Sequence, residues 1–221
     1  NVTNMTGQKV STGNITITDE DGLSISGLAN INLINGEVNV TLPVDQAGPL
    51  TIQVRYNGNL IYNESYANQT DDNHKITINV LPIPTLTNIE VLNNTLSNVT
   101  IHVNVTNMTG QKVSTGNITI TYENGTSISN LENITLTNGE VNVTLPVEHA
   151  GIFTIKVRYN ENLFYNESYA LNTSNDNKIA VNVLPIPTLT NIEVLNNTLS
   201  NVTIHVNVTN MTGQKVSTGN I

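Results

Sequence analysis

Apolar and polar residues alternate along most of this chain, in short runs separated by glycine, asparagine and proline. In residues 99–105, valine or isoleucine occupies every second position, which is typical of a β-strand with one buried face. The pattern predicts strands at residues 86–91, 99–105, 118–122, 141–145, 153–159 and 179–183, and an irregular or split strand within residues 128–136. Asn93 and Asn94 predict a turn after the first of these strands. No window of 11 or more residues has helical periodicity, so the sequence predicts an all-β protein made of antiparallel β-sandwiches.

The strand pattern is repeated along the chain. Residues 84–118 recur letter for letter at 187–221, and residues 1–103 match residues 104–206 at about 81 of 103 positions. A period near 100 residues is long enough for each copy to form its own core. Leu-Pro-Ile-Pro at 81–84 and 184–187 predicts short, stiff connectors. We therefore expect a repeat at 1–83 truncated at its N-terminus, a complete repeat at 84–186, and the first strands of a further repeat at 187–221.

Composition and charge exclude several kinds of partner. Only 11% of the residues are charged and the net charge is −9, with no basic stripe that could displace counterions from nucleic acid. There are no cysteines, so packing alone must hold the sheets together. No apolar run approaches 18 residues, so we expect no membrane-spanning segment. Because the chain starts in the middle of a repeat, we interpret it as part of a longer protein.

Three segments carry a resemblance to a known family. They are TGNITIT, NGEVNVTLP and AGIFTIKVRYNENLFYNESY in the complete copy, with counterparts at residues 13–18, 35–43 and 47–66 in the first copy. Their order resembles that of the Ig-like repeats of bacterial and archaeal surface proteins. The Asn- and Thr-rich composition is similar to that of archaeal adhesin-like proteins. This resemblance implies tandem Ig-like domains in an extracellular cell-surface glycoprotein that takes part in cell adhesion. The frequent Gly-Asp turn of the family is replaced by Gly58-Asn59 and Glu161-Asn162.

Asn-X-Ser/Thr is the most frequent motif, with about 20 occurrences. Each is a potential N-glycosylation site in a secreted protein, although asparagine and threonine are also common on sandwich surfaces. In the complete copy the candidates include Asn93, Asn98, Asn104, Asn107, Asn117, Asn133, Asn142 and Asn166. Three of them, Asn104, Asn117 and Asn142, alternate with apolar strand residues and are expected to face solvent.

Other candidate sites have weaker support. The Asp19-Glu20-Asp21-Gly22 segment is similar to half of a calcium loop, but the second copy has lost two of its carboxylates, which favours a solvated turn. The four histidines form neither a metal cluster nor a nucleophile–base pair, so we expect no enzyme, no catalytic or metal site and no cofactor. Some members of the family cross-link a lysine to an asparagine, but Lys112 lies in a loop and no acid occupies an apolar face.

Aromatic residues are concentrated late in the repeat. These are Tyr159, Phe164, Tyr165 and Tyr169, which correspond to Tyr56, Ile61, Tyr62 and Tyr66. We expect them to pack in the core and at its corner, although an exposed row could stack on sugars.

The preferred interpretation is a structural stalk that projects a distal binding domain from a cell-surface adhesin-like protein. The partner of that protein would be a cell envelope or the surface of a host or partner cell. The first alternative is a set of weak, multivalent modules that bind glycans or cell-surface proteins. The second is a lattice protein of the cell envelope.

Overall fold

A computed structural model describes residues 1–67, 74–171 and 176–220, and this part of the chain is all-β. The chain divides into two compact units. Asn1–Ile83 with Asn162–Tyr165 forms unit 1, and Pro84–Glu161 with Asn166–Ile221 forms unit 2. Division into three repeat segments stays a prediction. In the described residues, no helix is long and apolar enough to span a membrane.

Within unit 2, two antiparallel sheets formed by residues 85–183 face each other. Its strands are β6 (Thr85–Thr95), β7 (Asn98–Asn107), β8 (Asn117–Tyr122), β9 (Ile134–Thr135), β10 (Glu140–Leu145), β11 (Gly151–Tyr159), β12 (Ser168–Tyr169) and β13 (Ile179–Val183). One sheet has the order β10-β7-β6, and the other has the order β12-β11-β8-β9 with β13 also paired to β11. Val99, Ile101 and Val103 from the first sheet and Ile118, Ile120 and Val157 from the second are almost completely buried. Since both sheets bury alternate apolar side chains, the predicted antiparallel sandwich is confirmed for this unit.

Strand β6 connects the edges of both sheets. It pairs with β7 along its length and makes isolated parallel bridges from Thr87 to Ala170 and from Thr95 to Leu184. The hydroxyl oxygens of Thr85 and Thr87 lie 2.8 and 2.7 Å from Ser168 Oγ. The hydroxyl groups of these buried threonines therefore have a hydrogen-bond partner on β12.

The predicted turn at Asn93 and Asn94 was wrong, and the irregular or split strand predicted within residues 128–136 is present only in part. Residues 85–95 form one strand that continues through Asn93 and Asn94, with a bulge between Val91 and Asn93. Asn93 accepts hydrogen bonds from the amide and hydroxyl of Thr95 at 2.9 and 2.7 Å, which satisfies the irregular backbone there. Within residues 128–136 only β9 is a strand. Ile128, Leu131 and Leu136 are buried, so their apolar character reflects packing rather than sheet pairing.

Unit 1 contains one five-stranded sheet. Its strands are β1 (Asn14–Asp19), β2 (Ile31–Asn32), β3 (Gly48–Tyr56), β4 (Ser65–Tyr66) and β5 (Lys75–Val80). The order is β2-β1-β3-β4, with β5 also paired to β3, and a small core forms around Val10, Ile17 and Ile52. Residues 37–42 have the same sequence as β10 but are not a strand, and Val38, Val40 and Leu42 are only partly buried.

Residues 188–210 form a separate two-stranded hairpin. It consists of β14 (Thr188–Thr198) and β15 (Asn201–Asn210), which pair in the same register as β6 and β7. The apolar residues of the hairpin are largely exposed, with Val202 at 70% and Ile204 at 50%. The same sequence thus forms an exposed hairpin at residues 188–210 and part of a buried core at residues 85–107.

Candidate functional site

A polar groove lies on the outer face of the β8–β11 sheet of unit 2. Side chains alternate across a strand, so the burial of Ile118 and Ile120 places Thr119 on the opposite face. Likewise, burial of Val157 and Tyr159 in β11 places Arg158 outward. The resulting open groove has a volume of about 480 Å³. Its lining consists of Thr119, Thr121, Gly125, Ser127, Glu132, Asn133, Lys156, Arg158, Tyr169 and Asn177.

Hydrogen bonds hold the end of the groove around Arg158. The Arg158 Nε–H donates to Asn160 Oδ1 at 3.2 Å. Asn160 Nδ2 in turn donates to Thr119 Oγ1 at 3.0 Å and to Asn133 Oδ1 at 3.1 Å. Arg158 Nη1 also lies 3.9 Å from Glu167 Oε2. The guanidinium is therefore positioned by neighbours while its side chain is still 43% exposed.

Unit 1 has a smaller groove of about 280 Å³ at the corresponding place. Thr16, Thr18, Gly22, Ser24, Arg55 and Tyr66 line it, each 103 residues before an identical lining residue of unit 2. The supporting network is also present, with Arg55 Nε donating to Asn57 Oδ1 at 3.2 Å and Asn57 Nδ2 donating to Thr16 Oγ1 at 2.9 Å.

The two grooves differ in charge and in the environment of the tyrosine. Gln53 of unit 1 is replaced by Lys156, so the unit 2 groove carries an additional cation. In unit 1, His74 stacks on Tyr66 with ring centroids 4.5 Å apart, whereas the corresponding residue of unit 2 is Asn177. A ligand that needs the face of the tyrosine would therefore find a different surface in each unit.

The lining chemistry suits recognition of a polar ligand. Threonine hydroxyls, asparagine amides and an arginine can hydrogen-bond to hydroxyl or carboxylate groups, and a tyrosine can lie against the apolar face of a sugar. The groove is shallow and polar, unlike the mostly apolar pockets that bind drug-sized molecules tightly.

The predicted glycosylation sites of unit 2 fall into two groups. Asn98, Asn133 and Asn142 are exposed, whereas Asn93, Asn104, Asn107, Asn117 and Asn166 are half-buried. Of the three residues expected to face solvent, Asn142 is exposed, whereas Asn104 and Asn117 are half-buried. The Oδ1 atom of Asn104 is itself buried. Whether any of these residues carries a glycan stays a prediction.

Several of these motifs also have a structural role. Asn107 Oδ1 accepts the Thr109 and Gln111 amides at 2.9 Å and the Thr109 hydroxyl at 2.7 Å. Asn4 and Asn210 accept the corresponding hydrogen bonds in the two other copies of this loop. An asparagine followed by a threonine two residues later therefore closes this loop by itself, as in other Asx turns.

The remaining candidates have local roles. Asp19 Oδ1 accepts the amides of Asp21 and Leu23 at 3.0 and 2.8 Å, as expected for a turn. Lys112 Nζ lies 2.5 Å from Glu140 Oε1, and this contact holds the pKa of the Glu140 carboxyl below its usual value. His102 Nδ1 lies 2.7 Å from Asn142 Oδ1. Among the described residues, no three His, Asp or Glu side chains are grouped closely enough to hold a metal ion.

The aromatic residues divide between core and surface. Tyr159 is completely buried, and its hydroxyl donates to Thr115 O at 2.8 Å; Tyr56 donates to Thr12 O at 3.0 Å in unit 1. Core packing is therefore confirmed for Tyr159. Phe164 is 45% exposed, so the expectation of core packing was wrong for this residue. Tyr169 lines the groove.

Sequence reasoning identified Tyr169 but not the arginine, lysine and threonines beside it. Their signal was identity between the copies at the polar positions of alternating strands, such as Arg55 with Arg158 and Thr16 with Thr119.

No family model matches this chain, and no curated protein matches it. The Ig-like resemblance therefore stays a prediction.

Proposed function

We propose that this chain is a spacer in the stalk of a cell-surface adhesin-like protein, and that it has no enzymatic role. The observation that supports this proposal is the recurrence of structural contacts at a spacing of 103 residues. Tyr56 and Tyr159 donate to equivalent carbonyls, and Lys9–Glu37 is matched by Lys112–Glu140. A spacer requires equivalent units rather than one unique site.

The dimensions and connectors also suit a spacer. A nine-residue strand such as β11 extends roughly 30 Å, so each added unit would contribute substantial reach. Only residues 81–84 separate β5 from β6, and two of these four are prolines. Proline fixes the backbone angle φ, which reduces the number of conformations that such a connector can adopt.

The second candidate is glycan binding by the polar groove, which the recurrence of its lining favours. Six lining residues are identical in both units, including the Arg55–Arg158 and Tyr66–Tyr169 pairs. Weak binding at each unit would gain from multivalency along an array.

One binding experiment separates the two candidates. The full chain is screened against immobilised glycans and intact cells beside an Arg55→Ala, Arg158→Ala double variant. The matched control is Lys9→Ala with Lys112→Ala, because these two lysines pair with Glu37 and Glu140 and do not line the grooves. We expect no saturable binding by any of them if the chain is a spacer. Saturable binding that only the arginine variant loses would replace the spacer role with recognition by the groove.

A further inference from the structure

The polar groove of unit 2 contains a potential N-glycosylation site in its own lining. Asn133 lines the groove and begins the motif Asn133-Ile134-Thr135. Asn30 holds the corresponding place in unit 1, with nearly the same φ (53° against 52°) and the same hydrogen bond from a neighbouring asparagine at 3.1 Å. Residue 32 is an asparagine, however, so the motif is absent from unit 1. The two copies thus share this side chain and differ in whether it belongs to a glycosylation motif.

A second difference between the copies concerns the tyrosine of the groove. In unit 1, His74 stacks on Tyr66 with ring centroids 4.5 Å apart and an angle of 13° between the ring planes. In unit 2, Asn177 replaces the histidine with a similar positive φ (59° against 52°), and it has no ring to lay on Tyr169. The tyrosine is therefore covered by a histidine in the copy that lacks the motif, and it has no such cover in the copy that contains the motif.

Asn133 and Tyr169 lie at the two ends of one row of side chains across the sheet. The register of β9 on β8 places Asn133 beside Thr119, and the Asn133 N–H donates to Thr119 Oγ1 at 3.4 Å. Thr119 pairs with Arg158, which in turn pairs with Tyr169. Neighbouring strands are about 4.8 Å apart, so the row extends over roughly 14 Å. A short oligosaccharide attached at Asn133 is long enough to reach the tyrosine ring.

The side chains along this row suit a sugar chain. The Thr119 hydroxyl and the Arg158 guanidinium can hydrogen-bond to sugar hydroxyl groups, and the Tyr169 ring can lie against the apolar face of a sugar ring. Attachment of a glycan would leave the polar network in place. Asn133 joins that network through Oδ1, whereas an N-glycan is attached at the other amide atom, Nδ2. The Asn133 side chain is also exposed, as attachment requires.

We propose that the groove of unit 2 holds the chain's own N-glycan, which is attached at Asn133 and packs across the groove onto Tyr169. The ligand is therefore an N-linked oligosaccharide of the same chain rather than a free glycan or a glycan of another cell. This inference rests on the cell-surface location in the proposed function, because N-glycans are carried by secreted proteins. It also extends the spacer role, since a groove filled by the chain's own sugar is closed to other ligands.

The test uses the full chain, expressed in a secretion host that adds N-glycans, and exchanges residues between the two copies. Thr135→Asn removes the motif but keeps Asn133. Asn177→His supplies the ring that covers the tyrosine in unit 1. Asn32→Thr is the matched control, because it creates a motif at Asn30 beside a tyrosine that a histidine already covers. Each variant introduces the residue that the other copy has at the same place, so folding should not be affected.

Glycan occupancy and glycan accessibility give the first readout. Mass spectrometry of glycopeptides measures occupancy, and enzymatic release from the folded protein, divided by the rate on the unfolded chain, measures accessibility. We expect Asn133 to be occupied in wild type and its glycan to be released at least about 10-fold more slowly than in Asn177→His, a factor that one hydrogen bond to a charged group would supply. The glycan at Asn30 in Asn32→Thr should be released as rapidly as the Asn133 glycan of Asn177→His.

Nuclear Overhauser effects between sugar protons and the Tyr169 ring give the second readout, which reports the contact itself. They should be present in wild type and absent in Thr135→Asn and Asn177→His. An unoccupied Asn133, equal release rates in wild type and Asn177→His, or a Tyr169 ring without sugar contacts would each overturn the proposal. None of these results would affect the spacer proposal, which would be overturned instead by saturable binding in the glycan and cell screen.

Discussion

Replacement of Gly116 by alanine tests the packing that organises the sandwich of unit 2. Gly116 has a φ of +126°, and a Cβ added there would lie 2.5 Å from Cε2 of Tyr159 and closer still to its hydroxyl oxygen. Real Cβ atoms do not approach other atoms so closely, so the ring or the backbone must move. The ring has little room, because Tyr159 is fully buried and its hydroxyl is bonded to Thr115 O.

Gly151 is a control with nearly the same backbone conformation. Its φ is +128°, but an added Cβ would meet no atom within 4 Å. We expect Gly151→Ala to lower the free energy of unfolding only through backbone strain, by about 1–3 kcal/mol. Gly116→Ala should cost that strain and a further 1–3 kcal/mol or so from overpacking. The difference between the two variants isolates the contact with the tyrosine ring.

Amide hydrogen exchange of β8 and β11 measures these losses within unit 2, without assuming that the whole chain unfolds in one step. A double variant with Tyr159→Leu should recover much of the additional cost of Gly116→Ala, because the leucine is smaller than the ring that the new methyl group meets. Equal costs for Gly116→Ala and Gly151→Ala would refute the tight contact between Gly116 and the ring.

Three further predictions follow from single contacts. Tyr159→Phe should lower the free energy of unfolding of unit 2 by about 1 kcal/mol, because the hydrogen bond to Thr115 O is lost. Amide hydrogen exchange of β11 measures this loss, and unchanged exchange rates would show that the bond does not stabilise the unit. The hydrogen bond from Lys112 lowers the pKa of Glu140, so the ionised Glu140 should stabilise the fold above the usual carboxyl pKa of 4.5, and this contribution should be lost as the pH falls through the lower folded value. The free energy of unfolding should therefore depend less on acidic pH in Lys112→Met than in wild type. Identical pH dependences would contradict the pairing. In a glycosylating secretion host, mass spectrometry should find higher occupancy at the exposed Asn98, Asn133 and Asn142 than at Asn107, whose side chain closes a loop; preferential occupancy of Asn107 would contradict this order.

The candidate groove shows where sequence reasoning reaches its limit. Alternation along β11 and β8 correctly places Arg158 and Thr119 on polar faces, and the identity of the copies marks both residues. However, Tyr169 joins them only because the short β12 pairs with the end of β11, through Arg158–Tyr169. A two-residue strand has too little pattern to be recognised in a sequence, so the composition of the groove depended on the tertiary structure.

What the sequence by itself determined is the class of structure and the face of each long strand. The alternating valines and isoleucines of residues 99–105 predict one buried face, and β7 buries them. Glycine and asparagine likewise predict most of the interruptions between strands. These features are local, because a strand needs only its own alternation to separate its two faces.

Only the tertiary structure decided whether an alternating segment is paired and buried. NGEVNVTLPV occurs at residues 35–44 and 138–147, but it forms a strand only in unit 2, where β7 pairs with it. Similarly, Ile101 is fully buried while the identical Ile204 is 50% exposed. The physical reason is that strand hydrogen bonds and apolar burial both require a second segment, and the sequence of one strand does not specify whether that segment is present.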